Sequence, residues 1–413
     1  MTEAAQQFDV AIVGGGMAGA SLALMLAHFC PHLSVALLEQ RGLPDASASL
    51  RLPSFDTRAT AIAAGSLQLF QQLGLWSALR EYCAPIQCIQ VSDRGHSFGA
   101  SLSAREQEQA SFEGMLGAVI ENAALGPILH RAVADTQVRV LAPARVSRVR
   151  MGVAGAHLSW SADEQGQQNE LTTGLLVVAD GVGSPLCRQL GIEIDTIKYQ
   201  QRALVTTVGL QRDHGGVAFE RFTASGPMAL LPLPQREGLH RAALVWACPD
   251  REAQALSKLP EDECLRRLQK NFGWRAGRFM RAGAVQGYPL SLSLAREQWR
   301  RNLVLVGNCA HFLHPVAGQG FNLTLRDCYA LAQALVGEKP EQGSGVQLER
   351  LRTYGRKRSF DQQLTVGFSD RIPALFTSAN PTQQVMRQMG LLGLTLVPPL
   401  RAEFVSQAAG FGL

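Results

Sequence analysis

Six residues near the start, Gly14-Gly15-Gly16-Met17-Ala18-Gly19, constrain this chain more than any other segment, because of what flanks them. Phe8 to Val13 is a short apolar run of the kind found in a buried parallel strand, and it enters the glycine turn directly. Ala18 to Phe29 reads as a helix rich in small residues, and Leu33 to Leu38 as a second buried strand that ends at Glu39 and Gln40. Strand, turn, helix and strand make a βαβ unit. Gly14 permits the tight turn, Gly16 lets the backbone approach a pyrophosphate, and Gly19 lets helix and strand pack closely. The helix N-terminus offers free N–H groups and about half a positive charge to phosphates. Glu39 lies 20 residues after Gly19, where an acidic side chain accepts hydrogen bonds from a ribose. A dinucleotide site built on Gly14 to Gly19, Glu39 and Gln40 is the expectation.

The chain has room for more than this unit, since 413 residues correspond to about two to three domains. A hydrophobic fraction of 46% with 18% charged residues fits a globular protein and argues against disorder. The net charge of +5 is spread over interleaved acids and bases, so no clustered basic face for nucleic acid is visible before residue 350. Arg350, Arg352, Arg356, Lys357 and Arg358 read as a solvated helix face, with contact to anionic lipid as the alternative. The eight cysteines contain no C-x-x-C pair and no zinc-ligand spacing, so no metal site is expected and reduced thiols in the cytoplasm are the simplest reading. No charged leader precedes an apolar stretch, and no run reaches the roughly 18 apolar residues of a membrane span. Contact with lipid is therefore expected only from the surface, peripherally at the inner face of the cell membrane.

Arg58 opens a stretch, Ala59 to Leu73, that reads as a helix closed by Gly74. Its guanidinium would serve as a cation near the nucleotide or as an ordinary helix-end arginine, and the sequence leaves both open. Glu121-Asn122 through Leu129 reads as a further helix. Val138 to Val149 and Ala156 to Trp160 suggest strands joined by a turn, and Leu175 to Ala179 a buried strand that delivers Asp180-Gly181 at its C-terminal end, where open α/β sheets bind ligands. From Tyr199 to Arg300 the texture changes to successive strands (Ala203–Leu210, Val217–Thr223, Met228–Leu233, Arg241–Ala247), a helix over Glu261 to Phe272, and a last strand over Val285 to Leu294. Pro232 and Pro234 are expected to mark a strand end. Such an antiparallel block commonly floors a substrate pocket. Leu303 to Val306 returns to the parallel pattern, Gln319 to Leu335 fits a helix, and the chain beyond Gly343 reads as mostly helical.

Between those last elements lies His314-Pro315-Val316-Ala317-Gly318-Gln319-Gly320. Gly318 and Gly320 allow close backbone approach, and the helix that follows points its first N–H groups outward. His314-Pro315 would form a rigid extended lead-in. His311 and His314 carry no assigned proton-transfer role, since packing or capping explains a lone histidine equally well.

Taken together, the glycine motif, Asp180-Gly181 and Gly307-Asn308 through Gly320 make the chain resemble the class A flavoprotein monooxygenases over essentially its whole length. Gly307-Asn308-Cys309-Ala310-His311-Phe312-Leu313-His314-Pro315 through Leu323, and Phe219-Glu220-Arg221-Phe222-Thr223 through Pro227, are similar to the ubiquinone-biosynthesis hydroxylases. The resemblance implies an α/β fold, with a discontinuous Rossmann-like FAD-binding domain, an inserted antiparallel-sheet substrate domain and C-terminal helices. The corresponding ranges are 1–198 and 301–342 for the FAD-binding parts, 199–300 for the insertion and 343–413 for the helical region. It also implies FAD as cofactor, held by the glycine motif, Glu39, Gln40, Arg58, Asn122, Asp180, Gly181, Asn308, Gly320, Phe321 and Asn322. His314, Pro315, Gly318, Gln319 and Gly320 would surround the flavin ring. NADPH or NADH would reduce the flavin, and O2 would give a C4a-hydroperoxide that hydroxylates a prenylated phenol.

Two departures from the family pattern stand out. Asn308 replaces the usual Asp, and it can donate as well as accept a hydrogen bond. That variant, with Phe321-Asn322-Leu323, is similar to the 2-octaprenyl-6-methoxyphenol hydroxylase branch. After Asp180-Gly181, Ser184 is followed by Cys187 and then Arg188, so the usual arginine is displaced by one position. Competing readings are a flavin-dependent reductase or dehydrogenase of an isoprenoid lipid, and a catalytically silent flavoprotein among other ubiquinone-biosynthesis proteins. Leu391 to Pro399, between Arg387 and Arg401, would dock on lipid or a partner, or else form an ordinary buried helix end.

Overall fold

A computed structural model describes residues 6–43, 58–94, 99–106, 111–162, 168–314, 318–337 and 348–377. Pro315 and the segment from Arg387 to Arg401, including Leu391 to Pro399, lie outside the described residues.

The first unit forms as the apolar pattern requires: β1 (Gln6–Val13), α1 (Met17–Phe29) and β2 (Val35–Leu38) make a βαβ crossover, with β1 and β2 parallel. Helix α1 is buried continuously from Gly19 to Met25 and Leu26, because it lies between the sheet and other helices. Each buried Leu or Met there contributes about 1.5–3 kcal/mol.

The stretch read as one helix from Ala59 divides instead into β3 (Ala59–Ala63) and α2 (Ala64–Gln72). Alanine favours a helix, but pairing decides: β3 lies antiparallel to a strand reached some fifty residues later, and tertiary hydrogen bonds override local propensity. A short α3 (Trp76–Arg80), β4 (Cys83–Ile86), β5 (Cys88–Asp93), β6 (Gly99–Ser103) and β7 (Gly117–Glu121) follow, and β3, β7 and β4 form a three-stranded sheet.

α4 (Asn122–Ala134) starts where expected. The expected strand from Val138 to Val149 breaks at Pro143 into β8 (Arg139–Leu141) and β9 (Arg145–Gly152). β8 joins the parallel sheet beside β2, while β9 pairs with β10 (Gly155–Ser161). β11 (Asn169–Val178) lies parallel to β1 and delivers Asp180-Gly181 beyond its end, followed by the short α5 (Pro185–Gln189).

The antiparallel block comprises β12 (Ile194–Leu210), β13 (Val217–Thr223), β14 (Gly226–Arg236) and β15 (Leu239–Pro249), then α6 (Asp250–Leu256), α7 (Glu261–Phe272), β16 (Phe279–Ala282) and β17 (Gln286–Ala295). β12 runs unbroken through positions 198 and 199, with a register irregularity between Lys198 and Arg202. Pro232 and Pro234 do not end a strand: both lie inside β14, which continues to Arg236. Pairing of β14 with β13 stops at Leu230, so the prolines occupy a free edge where a missing N–H costs nothing. On one face of the sheet, Cys264, Leu268 and Phe272 of α7 bury a stripe at helical spacing. β5 and β6 extend the same sheet beside β13, so it recruits strands from before residue 199.

β18 (Trp299–Arg300) and β19 (Leu303–Leu305) return to the parallel sheet, and β20 (His311–Phe312) pairs with β17. α8 (Gln319–Leu335) and α9 (Leu348–Thr377) complete the described chain. The parallel sheet has the order β18-β19-β11-β1-β2-β8, which places the ends of β1, β11 and β19 side by side. One core cluster joins the two layers, combining Ile12, Leu22 and Leu325 with Ala218, Leu233 and Ala243 of the antiparallel sheet.

The basic run is not a uniform solvated face. Arg352, Arg356 and Lys357 are exposed, whereas Arg350 donates to the carbonyls of Ala334 and Val336 and Arg358 is buried in an ion-pair network. No described helix is long and apolar enough to cross a membrane, and no cluster of metal-ligating side chains occurs among the described residues.

Candidate flavin site

The three motifs distant in sequence meet at the adjoining strand ends. Gly14 takes φ +110°, and a Cβ there would fall 2.4 Å from the carbonyl oxygen of Ala179, at the end of β11. Gly307 takes φ +72°, and its Cβ would lie 2.8 Å from that of Ala18 at the start of α1. Gly19 packs closer still, its absent Cβ coinciding with a position 1.8 Å from the Gly14 carbonyl oxygen. Only glycine allows these approaches, and they gather Asp180-Gly181 and Gly307-Asn308 around the N-terminus of α1.

That N-terminus opens at Gly16, with no side chain capping it, so its first N–H groups are left for a ligand. Met17 and Ala18, in the first turn, remain partly exposed. Below the turn, Glu39 accepts from the Gly15 N–H at 2.6 Å through Oε2 and from the Arg41 N–H at 3.0 Å through Oε1. Gln40 is exposed beside it. His130 of α4 is buried with Nε2 2.6 Å from the Gly15 carbonyl oxygen, and burial pushes its pKa down, so the neutral ring donates through Nε2. No motif announces His130; only the packing of α4 on α1 brings it there.

Asp180 offers a direct test of whether the site suits FAD. Its Oδ2 accepts from the Ser184 hydroxyl at 2.7 Å, while its buried Oδ1 has no hydrogen-bond partner among the described residues. Burial pushes the carboxyl up to about 6 against the hydrogen bond from Ser184. A buried acceptor left open costs about 1–3 kcal/mol, which a hydroxyl-bearing ligand would recover. Gly181 takes φ +90° next to it. Arg188 donates to the Gly183 carbonyl on the surface and does not enter the site. Asn308 is exposed in a 3-10 turn, on the same rim as Asp180. The residues present fit a dinucleotide with hydroxyls along its linker.

The second half of the site forms at the start of α8. Gly318 sits in the left-handed region at φ 62°, and again no side chain caps the helix. A Cβ at Gly318 would lie 3.2 Å from that of Ala61, whereas one at Gly320 would meet nothing within 4 Å. Close approach is thus needed at Gly318, and Gly320 opens to free space next to Gln319. Asn322 fixes the turn: its Oδ1 accepts from the Ala63 N–H at 2.8 Å, and its Nδ2 donates to the carbonyls of Ala61 at 2.9 Å and Gly318 at 3.0 Å. Asn322 therefore acts as a bracket between α8 and β3, and Phe321 packs against the main core.

Arg58 and Asn122 are brought together at the other end of β3. The Asn122 N–H donates to the Arg58 carbonyl at 2.8 Å, and the Asn122 Oδ1 accepts from Thr60 at 2.6 Å. The Arg58 guanidinium lies 4.7 Å from the centroid of the Tyr288 ring, joining β3 to the antiparallel sheet. His314 packs edge-on against Tyr199 at 5.4 Å, and burial lowers its pKa to about 4. The Tyr199 hydroxyl donates to Asp370 of α9 at 2.6 Å. Phe219, Met228 and Leu230 fill the core against α7, on the far side of the sheet from Tyr288.

Residues 7–369 match the family described as FAD binding domain. The chain belongs to that family. Within it, the chain is a flavoprotein hydroxylase of the ubiquinone-biosynthesis group by its similarity to curated members. It is 33% identical to ubiquinone hydroxylase UbiL of Rhodospirillum rubrum, over 97% of this chain and 89% of that one. It is 28% identical to 3-demethoxyubiquinol 3-hydroxylase of Escherichia coli, over 98% and 99% of the two chains. Among solved structures, the fold is shared with p-nitrophenol 4-monooxygenase PnpA from Pseudomonas putida (TM-score 0.76, 17% identity, 99% of this chain and 100% of that one). The flavoprotein hydroxylase fold is thus shared far more widely than the sequence.

Proposed function

We propose that this chain hydroxylates the aromatic ring of a polyprenylated phenol in ubiquinone biosynthesis, using FAD, NADPH or NADH as electron donor, and O2. The observation that carries the reading is the pair of uncapped helix N-termini, α1 at Gly16 and α8 at Gly318, on one site whose walls are glycine and whose buried Asp180 acceptor is open. The names of the curated relatives support the substrate class.

In this reading, Gly14 to Gly19 and the start of α1 would hold the pyrophosphate, and Glu39 would accept from the ribose. Asp180 and Asn308 receive the hydroxyls of the linker. The start of α8, with Gly318, Gln319 and Gly320, would offer its N–H groups to the flavin ring and stabilise negative charge there without a charged side chain. Reduced FAD supplies an electrophilic oxygen atom from O2. The chain's own work is to orient the phenol and exclude water, with the Arg58–Tyr288 stack joining β3 to the antiparallel sheet. Cytoplasmic placement with peripheral membrane contact, and contact with other ubiquinone-biosynthesis proteins, complete the proposal, because a polyprenyl tail partitions into lipid.

The test is the visible spectrum of the purified protein, followed by aerobic NAD(P)H oxidation with and without a prenylated methoxyphenol. Bound flavin with phenol-stimulated oxidation and a hydroxylated product is the expected result. Bound flavin without an oxygen-dependent product would favour a reductase or a silent flavoprotein.

A further inference from the structure

We propose that Glu220 is a catalytic residue of the hydroxylation, the base that takes the phenol proton while the ring is oxidised. The inference rests on the phenol hydroxylation reading above and adds the group that activates the substrate.

Register places the side chain. Phe219 and Arg221 turn to the α7 side of the sheet, where Phe219 packs on Phe272 and Arg221 donates to the Ser92 hydroxyl. Glu220 between them turns to the other face. Directly across the strands from it lie Ala229, Val245 and Val205, an apolar row without interruption in register. Ala203, two residues from Val205, stands opposite Tyr288, so Glu220 shares its face with the ring that stacks on Arg58. Ala218, two residues before Glu220 on the same face, joins the core cluster that includes α1 and α8. The face carrying Glu220 is therefore the one turned toward the nucleotide-binding layer, and α9 packs against the same two strands, β13 and β14.

A carboxylate in such a place needs a reason. Glu220 is partly exposed, and no hydrogen bond or ion pair holds it among the described residues. Its cross-strand neighbours, Ala229 and Val91, are apolar. Charged groups on the elements around it include Asp93 on β5, Arg236 on β14, which pairs with Glu121, and on α9 Asp361, which is paired with Arg326 and Arg358, Asp370, which is engaged by Tyr199, and Arg371. Burial alone pushes the Glu220 carboxyl up to about 7, which poises it between acid and base near neutrality. For packing alone, an apolar residue would serve better at this position.

The phenol O–H bond breaks and its proton passes to a Glu220 oxygen. The electron pair left behind moves into the ring and raises its density at the ortho and para carbons, one of which bonds to the oxygen atom delivered from O2. As aromaticity returns, the ring carbon's proton passes to the second oxygen atom, and Glu220 gives its proton back to the phenolate oxygen. The second oxygen atom leaves as water, with NAD(P)H supplying the two electrons as a hydride and solvent the one further proton.

The test compares the FAD-loaded wild type with Glu220→Gln and Glu220→Asp, following hydroxylated product from a prenylated methoxyphenol as a function of pH. The wild type should show kcat rising with pH through about 7, as the base ionises. Glu220→Gln should lower kcat about 10²-fold or more and abolish that rise, with little change in KM or flavin content. Glu220→Asp should keep the rise at a reduced rate, which a merely structural role would not produce. A Glu220→Gln enzyme that keeps its rate and its pH profile would overturn the proposal while leaving the hydroxylase reading intact. A wild type that oxidises NAD(P)H yet hydroxylates no phenol would bring down that reading and the role of Glu220 with it.

Discussion

At the scale of single residues, the site depends on atoms that are missing. Gly14→Ala combines a positive φ with a contact at 2.4 Å to backbone that cannot yield, so we expect a loss of about 1–3 kcal/mol in stability together with loss of bound flavin. Visible absorbance after purification and urea denaturation measure the two effects separately. His314 gives a pH signature. Its folded pKa of about 4 lies below the ordinary value of 6.5, so folding favours the neutral ring. Its stabilisation is complete above pH 6.5 and falls by about 3 kcal/mol as pH drops toward 4. Asp180 and Glu220, both raised, act in the opposite sense as pH rises through about 6 and about 7. The His314 contribution is therefore isolated by comparison with His314→Phe, whose denaturation midpoint should depend less on pH below 6.5. Gly14 could be read from the tight turn its spacing demands, and Asp180 from its place at the end of an apolar strand run. His130 and Glu220 could not: one depends on helix packing, the other on which sheet face turns inward.

At the scale of elements, α9 is fastened by charge. Asp327 of α8, buried, accepts from Arg358 Nε at 2.5 Å and from Gln362 at 3.1 Å, and lies 2.6 Å from His311 Nε2. Burial opposes its ionisation, but His311 and Arg358 outweigh it and hold the carboxyl below its usual range. Arg358 also pairs with Asp361, which binds Arg326 at 2.8 Å. Asp327→Asn would leave Arg358 buried without its main counter-charge, and we expect a loss of about 3–5 kcal/mol with earlier proteolytic cleavage in α9. Replacing Asp327 and Arg358 together by apolar residues should cost less than either change alone, which a double-mutant cycle in urea would show. The helix α7 was legible from its acidic first turn and its i, i+4, i+8 apolar stripe. The strand β3 was not, because its conformation is set by β7 and by Asn322, each remote in sequence.

At the scale of the whole molecule, the parallel and antiparallel layers share one apolar core, so they should unfold together. Release of flavin and the fluorescence of Trp76, in that shared core, and Trp246, in the core behind the antiparallel sheet, should change at one denaturant concentration. Excess FAD should raise that concentration in proportion to the logarithm of free ligand, and an unchanged midpoint would contradict a folded-state site. The layered architecture was readable in outline from the alternation of patterns, but the recruitment of β5 and β6 was not, since strand pairing across such distances leaves no local trace. The unbroken course of β12 has a practical meaning for protein engineers. A chimera spliced between 198 and 199 would cut a strand at its bend, where Gln200 takes φ 54°. Cassettes exchanged between relatives should instead be joined at the Gly191 turn before β12 and in the 296–298 loop after β17, so that the strand travels whole with the antiparallel block it builds.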